Sequence, residues 1–215
     1  MHAIWMHDGK HGRSHVILTS GNHSAGYVDC DPVVKNGEII RIACSDILYS
    51  LAKQMNADFG DDLNIVDGVV GPATGATKLA IFLSELITTF IRLDCFHASP
   101  VKDSKTATKS MVFEKSELEL LPGQNVLLCE DVITTGGSVN KTALAVIAGH
   151  GKPLPYVLTL VNRSGLKVIG GRTIISLIDH YMPIWTPKKC ELCEIGSKAI
   201  RPKGEKNWAK LNGPL

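Results

Sequence analysis

The sequence predicts an α/β protein with a central parallel sheet flanked by helices, and three observations point there. Helix-like and strand-like patterns alternate along the chain. Within the expected strand Asn125 to Cys129, the run Val126 to Cys129 is continuously apolar, as strands covered on both faces require. Gly and Pro pairs (Gly71-Pro72, Pro122-Gly123) punctuate the elements. At 215 residues the chain suits one domain, or one with a small extension. An apolar fraction of 44% against 20% charged residues supplies a real core and excludes a disordered chain.

The elements follow in order. Asn36 is placed to cap a helix with apolar positions Ile39, Ile40, Ile42, Ala43, Ile47, Leu48 and Leu51. Ile65 to Val70 is a short β-branched run ending at a turn, hence a strand. Ala76 to about Ile91 reads as the next helix and Leu93 to Ala98 as the next strand. From Ser99 to Lys115 the rhythm breaks, leaving a long mobile loop with Lys102, Lys105, Lys109 and Lys115. Strand Asn125 to Cys129, a helix from Gly137 to Gly149, and strands Pro155 to Val161 and Thr173 to Ile178 complete the core. The residues from Met182 on show little periodicity and are expected to pack as an extension rather than form a second domain.

Charge and composition narrow the function. A net charge of +2 provides no broad basic field, so neither nucleic acid nor an anionic membrane is expected as a partner. No apolar run reaches the roughly 18 residues of a membrane helix, and the first fifteen residues lack a signal-peptide core. Cys30, Cys44, Cys95 and Cys129 sit singly in apolar or mixed runs, as buried thiols do. A disulfide framework is not expected, and the predicted location is cytoplasmic.

The chemistry concentrates in Val126 to Val139, VLLCEDVITTGGSV. A buried strand delivers Glu130 and Asp131 to its C-terminal end, the edge where open α/β sheets bind ligands. Thr134, Thr135, Gly136, Gly137 and Ser138 then open a helix. The glycines let backbone amides approach a phosphate, and the helix N-terminus favours an anion. Acids beside a phosphate cup make sense if a sugar lies between them, its hydroxyls donating to the carboxylates. A nucleotide P-loop, G-x-x-x-x-G-K followed by Ser or Thr, is not present at either glycine-rich turn.

This segment resembles the phosphoribosyl diphosphate (PRPP) motif of the type I phosphoribosyltransferases, and the chain from about residue 16 to 210 is similar to their orotate-using branch. Leu18 to Ser24 (LTSGNHS) with Tyr27 to Asp29 is similar to that branch's N-terminal hood, Val69 to Gly75 (VVGPATG) to its diphosphate loop, and Leu160 to Gly165 (LVNRSG) to the strand supplying an arginine. The tail from Trp185 to Trp208, with Cys190 and Cys193, is similar to part of that branch.

The resemblance implies a type I phosphoribosyltransferase-like sheet, with a hood from about residues 1–35 and an extension from about 182, as one domain over 1–215. It implies transfer of a 5-phosphoribosyl group from PRPP to orotate, with Mg²⁺ on the diphosphate, in a homodimer whose lysine loop is shared between subunits. The implied PRPP-binding residues are Glu130, Asp131, Val132, Ile133, Thr134, Thr135, Gly136, Gly137 and Ser138. Pro72, Ala73, Thr74 and Gly75 form the implied diphosphate loop. Thr134 and Arg163 are implied to bind orotate, with Lys102, Lys105 and Asp131 as catalytic residues. An arginine suits the orotate carboxylate because its fork can make two parallel hydrogen bonds. The chain departs from the family at Thr19 and Asn22, where many members have basic residues. A phosphoribosyltransferase for another base would not need Arg163, and a non-catalytic PRPP-sensing regulator that binds nucleic acid would need a basic face.

Cys190 and Cys193 form one C-x-x-C with no second pair in the chain, so no metal held directly by side chains is expected. Two subunits pooling their pairs, or His180 joining, are the alternatives. The spacing of His2, His7, His11 and His15 fits no H-E-x-x-H site, and a flexible N-terminal stretch is expected there. Asp61 and Asp62 read as a solvated turn, and Trp5, Trp185 and Trp208 as packing residues.

Overall fold

The computed structural model describes residues 3–59, 63–105, 109–203 and 205–212; His2, Asp61 and Asp62 therefore lie outside the described residues. Two compact units form, one from Val33–His180 and one from Met1–Pro32 together with Tyr181–Leu215.

The larger unit carries strands β1 (Gly68–Val70), β2 (Phe96–Ala98), β3 (Val101–Lys102), β4 (Met111–Val112), β5 (Asn125–Ile133), β6 (Lys152–Asn162), β7 (Val168–Ile169) and β8 (Arg172–Asp179). Six of them make one sheet in the order β7-β8-β6-β5-β1-β2. All its pairings are parallel except that of β7 with β8. Helices α1 (Gly37–Phe59), α2 (Thr77–Ile91) and α3 (Gly137–Ala148) flank it. The expected α/β architecture, a largely parallel sheet between helices, is what the chain forms.

Burial explains the layers. Val126 and Leu128 of β5 share a buried cluster with Val139, Ala143 and Val146 of α3. Successive strand residues face opposite sides, so Leu127 and Cys129 point the other way. There Cys129 lies near Cys44 of α1, and burial first, then the neighbouring Glu130, push its thiol well above its ordinary value. Both faces are thus covered, which accounts for the unbroken apolar run in the sequence.

Helix α1 begins as its capping residue dictates, with Asn36 Oδ1 accepting the amides of Glu38 and Ile39 at 3.1 Å. It buries Ile40, Ala43, Ile47, Leu48 and Leu51. Ile39 and Ile42, expected in the core, are instead 47% and 58% exposed, with Tyr49 at 75%. The helix is apolar on more than its sheet-facing stripe, so sequence periodicity could not separate the two faces.

Other differences are local. Leu63–Ile65 is a 3-10 turn, so β1 starts at Gly68 rather than Ile65. Arg92, left-handed at φ 58, closes α2 by returning its amide to Thr88 O; strand β2 consequently starts at Phe96, and Leu93 is exposed. The segment expected as one long loop after Ser99 contains a two-stranded ribbon. Val101 pairs with Val112 and Lys102 with Met111, and the Asp103 amide donates to Ser110 O. Short β-branched pairs separated by a polar tip are too weak a periodic signal to register in the sequence.

In the smaller unit, strands His15–Ile17 and His23–Ser24 form a hairpin. Two strands from the far end of the chain flank it. Ile184–Trp185 pairs antiparallel with His23–Ser24, and Ala199–Ile200 pairs parallel with His15–Val16. Trp5, Val16 and Leu211 are the buried centre, with Tyr27, Ile200 and Trp208 packed against them. The Trp5 indole donates to Leu211 O at 2.9 Å. His15, expected in a flexible stretch, is fully buried within this sheet. Among the described residues no helix is long and apolar enough to cross a membrane.

Candidate functional site

Strand β5 runs four residues past the expected end at Cys129, so Glu130 and Asp131 belong to the strand itself. Strand pairing therefore fixes their backbone, Glu130 standing opposite Thr159 of β6. Glu130 is 8% exposed and Asp131 half-buried. The Asp131 carboxylate accepts the Val132 amide at 2.8 Å. Burial first, and then the charge of Asp131, raise the Glu130 pKa well above its ordinary 4.5; the charge of Lys102 acts in the opposite direction. A raised pKa lowers the negative charge that this pair sets against an incoming phosphate.

Beyond β5 the chain turns into α3 through Gly136, which is left-handed at φ 76. A Cβ there would meet Ile169 Cδ1 at 2.7 Å, so conformation and space both demand glycine. No side chain caps the N-terminus of α3. The start of the helix lines a pocket of about 50 Å³ together with Glu130 and residues 132–139. Unsatisfied amides and the positive end of the helix dipole favour an anion in such a place. Thr134 and Ser138 are half-buried here and Thr135 is exposed.

The loop after β1 meets this corner. A Cβ on Gly75 would stand 2.8 Å from Asp131 Oδ2, so the loop Pro72 to Gly75 lies directly against the acidic pair. The Ala73 amide donates to Pro100 O at 3.0 Å, leaving Thr74 and Gly75 as the loop's candidate phosphate donors. The Ala73–Thr74 peptide is cis.

Arg163 directly follows β6, and its amide donates to Ile133 O at 2.9 Å, which holds it beside Thr134. It is 2% exposed and so no surface arginine. Lys102 is exposed on β3, close enough to act on Glu130. Lys105 is exposed farther along the ribbon, its amide held by Asp103 Oδ1 at 2.8 Å. One corner thus gathers the acidic pair, the glycine turn, the Gly75 loop and the Arg163 backbone. Lys102 reaches it electrostatically, while Lys105 stands farther along the ribbon.

Sequence reasoning missed the residues that stiffen this corner. Thr159, fully buried, shares its hydroxyl hydrogen between Asp131 O and Val161 O, each at 3.2 Å. Asn162 Oδ1 accepts the Ser164 amide and hydroxyl, while its Nδ2 donates to Leu166 O at 2.8 Å, clamping the turn that carries Arg163. The N-x-S spacing at 162–164 is an Asx-turn signal that could have revealed Asn162. Thr159, one polar residue in a buried strand, offers no comparable signal.

Comparison with known proteins agrees with this geometry. The family model described as "Phosphoribosyl transferase domain" matches residues 40–169. Orotate phosphoribosyltransferase from Caldicellulosiruptor bescii is 29% identical over 192 residues, 89% of this chain and 90% of its own length. Its namesake from Caldicellulosiruptor saccharolyticus is 30% identical over 192 residues, covering 89% of each chain. The crystal structure of orotate phosphoribosyltransferase from Aeropyrum pernix superposes with a TM-score of 0.51 at 19% identity, covering 82% of this chain and 88% of that one, which shows a shared fold. With the acidic strand, the glycine turn and the Gly75 loop all inside the matched region, the chain belongs to the phosphoribosyltransferase family and stands with the relatives named orotate phosphoribosyltransferase.

Proposed function

We propose that the chain transfers the 5-phosphoribosyl group of PRPP to orotate, releasing orotidine 5′-phosphate and diphosphate, a step of de novo pyrimidine (UMP) biosynthesis. The observation that carries this reading is the single sheet corner where buried Glu130, half-buried Asp131, an uncapped helix N-terminus and the backbone of buried Arg163 converge. In the proposed complex the ribose hydroxyls donate to Glu130 and Asp131. The 5-phosphate accepts from amides and hydroxyls of Thr134 to Ser138, and the diphosphate accepts from the loop Pro72 to Gly75.

The reaction breaks the bond from C1 of the ribose to diphosphate and forms one from C1 to a ring nitrogen of orotate, whose proton is lost. Charge develops on the sugar as an oxocarbenium-like state, so the protein's task is to hold geometry and field rather than to supply a nucleophile. In the proposed complex the Asp131 carboxylate stands on the side of the ring where that positive charge grows. Arg163 takes the orotate carboxylate, which distinguishes orotate from a purine base. Lys102, with Lys105 as the second lysine of the ribbon, covers the departing diphosphate and excludes water.

Mg²⁺ fits this donor set: it prefers oxygen ligands, keeps several waters and is commonly carried on substrate phosphates. The acidic pair beside Gly75 offers oxygen atoms next to the loop where the diphosphate is proposed to lie. When bound, the ion neutralises the leaving group's charge.

A homodimer is part of the proposal. Exposed Ile39, Ile42 and Tyr49 stand three and seven residues apart on one side of α1, a spacing that suits burial against a second copy. The smaller unit is proposed to serve as the family's hood within one phosphoribosyltransferase domain over 1–215, Thr19 and Asn22 standing there in place of the more usual basic residues. A cytoplasmic location is supported by six cysteines, none of them paired in a disulfide. Orotate consumption that depends on both PRPP and Mg²⁺ is the expected result of a steady-state assay; its absence with correctly folded protein would contradict the proposal.

A further inference from the structure

The smaller unit holds a second constellation that the transfer reaction does not use. His15, His23, Cys190 and Cys193 bring one ligand atom each to a common point, all within 4.8 Å of one another. Three of the four residues are buried, and Cys193 reaches the surface. We propose that these four side chains bind a structural Zn²⁺ that ties the N-terminal hairpin to the C-terminal tail.

Distances carry the argument. Tetrahedral zinc, with Zn–N of roughly 2.0–2.1 Å and Zn–S of roughly 2.3 Å, separates two nitrogens by about 3.3 Å and a nitrogen from a sulfur by about 3.6 Å. Here His15 Nε2 and His23 Nδ1 are 3.0 Å apart. Cys190 Sγ and Cys193 Sγ stand 3.4 and 3.6 Å from His15 Nε2, and Cys193 Sγ is 3.3 Å from His23 Nδ1. A merely hydrogen-bonded cluster needs one short contact, with the remaining groups packed at unrelated distances. Four of the six distances among the donors lie near the edges of such a tetrahedron, and the other two are within 4.8 Å, which fits an ion better.

The outer contacts orient His15 for this role. Ser197 Oγ, also buried, donates its single hydrogen to Arg13 O. It can then only accept at the His15 ring, so Nδ1, 2.8 Å away, carries the hydrogen. The lone pair of the neutral ring is left on Nε2, which faces the other three donors. A second partner that fixes the tautomer in this way accompanies most metal-bound histidines.

The backbone also suits a metal. Cys190 precedes the short helical turn Glu191–Glu194 and Cys193 lies within it, so the C-x-x-C spacing puts both sulfurs on one side. Gly196, left-handed at φ 80, then turns the chain back so that Ser197 comes to His15. Two thiolates and two imidazoles select zinc over magnesium or calcium, and four protein ligands close the coordination shell, which makes the site structural rather than catalytic. The proposal departs from the expectation that no side chain holds a metal, and its partners are His15 and His23 rather than His180 or a second subunit's cysteines.

The test uses the full chain, purified without a metal-binding tag. Elemental analysis should find about one zinc per chain, as a closed four-ligand site requires. Cobalt exchanged into the site should show intense tetrahedral visible bands and a thiolate charge-transfer band. Because Cys193 is exposed, Cys193→Ser should stay folded by circular dichroism while losing that charge-transfer intensity and at least about tenfold in zinc affinity. A strong chelator should lower the melting temperature, and added Zn²⁺, but not Mg²⁺, should restore it. Folded, reduced protein that takes up no zinc would overturn the proposal. So would Cys193→Ser and His23→Gln variants that bind zinc as tightly as the parent, or a Cys190–Cys193 disulfide that yields no zinc-binding protein on reduction.

Discussion

The corner proposed for PRPP and the Cys/His cluster are both convergences of polar groups, yet they are built in opposite ways. Strand β5 and the start of α3 supply most of the first from one unbroken stretch, Glu130 to Ser138. The second draws His15 and His23 from one end of the chain and Cys190 and Cys193 from the other. A contiguous site leaves a signature that one window of sequence can contain. A site closed by long-range strand pairing leaves four unremarkable residues until the fold is known. The proposed tasks differ in the same way, a ligand that comes and goes in one corner and an ion that stays in the other.

Substitutions can break or sharpen that contrast. The largest effect is expected from Asp131→Asn, which removes a preorganised charge facing the developing oxocarbenium and should cost roughly 10²–10³-fold in kcat/KM. Lys102→Ala should cost about two to four kcal/mol in transition-state binding, read mainly in kcat, with a smaller loss for Lys105→Ala. Equal losses for the two lysines would contradict the singling out of Lys102 by its interaction with Glu130. Arg163→Ala should weaken orotate by about 1.5–3 kcal/mol, seen chiefly in its KM. Arg163→Lys, a point charge without the fork, should recover only part of that. Undiminished orotate use by Arg163→Ala would favour a base without a carboxylate. Cys193→Ser should leave PRPP kinetics within about threefold, as for independent sites, while lowering thermal stability. If it disabled PRPP binding as Asp131→Asn does, the two regions could not be treated as separate.

The smallest effect concerns pH. The folded-state pKa of Glu130 is raised, so the folded chain binds more protons than the unfolded one once the pH exceeds about 4.5. The contribution of the protonated carboxyl is full below that pH and is lost as pH climbs through the higher folded value. Glu130→Gln, neutral throughout, should therefore gain stability over the parent as pH rises from 5 to 8 (melting curves at the two pH values read this directly). A gap between the two proteins that shrinks with rising pH would show that the carboxyl is not held protonated by burial.

Much of this was legible from residues alone, for identifiable reasons. The capping of α1 by Asn36 and the glycine turn into α3 are local and were readable. The sheet's double coverage showed in the unbroken run of β5. Ile39 and Ile42 misled because exposure depends on what covers a helix, which periodicity cannot report. The ribbon around Lys102 was hidden because two-residue strands have no period to detect. Thr159 and Asn162 act through hydrogen bonds across strands and turns. His15 passed for part of a loose histidine-rich stretch because its partner cysteines stand some 175 residues away.

A crystal structure of the complex with PRPP and Mg²⁺ is the most direct measurement. It should place the ribose hydroxyls within hydrogen-bonding distance of Glu130 and Asp131, with the 5-phosphate on the amides that open α3. Ligand density seated elsewhere, with that helix end and the acidic pair facing only solvent, would contradict the account.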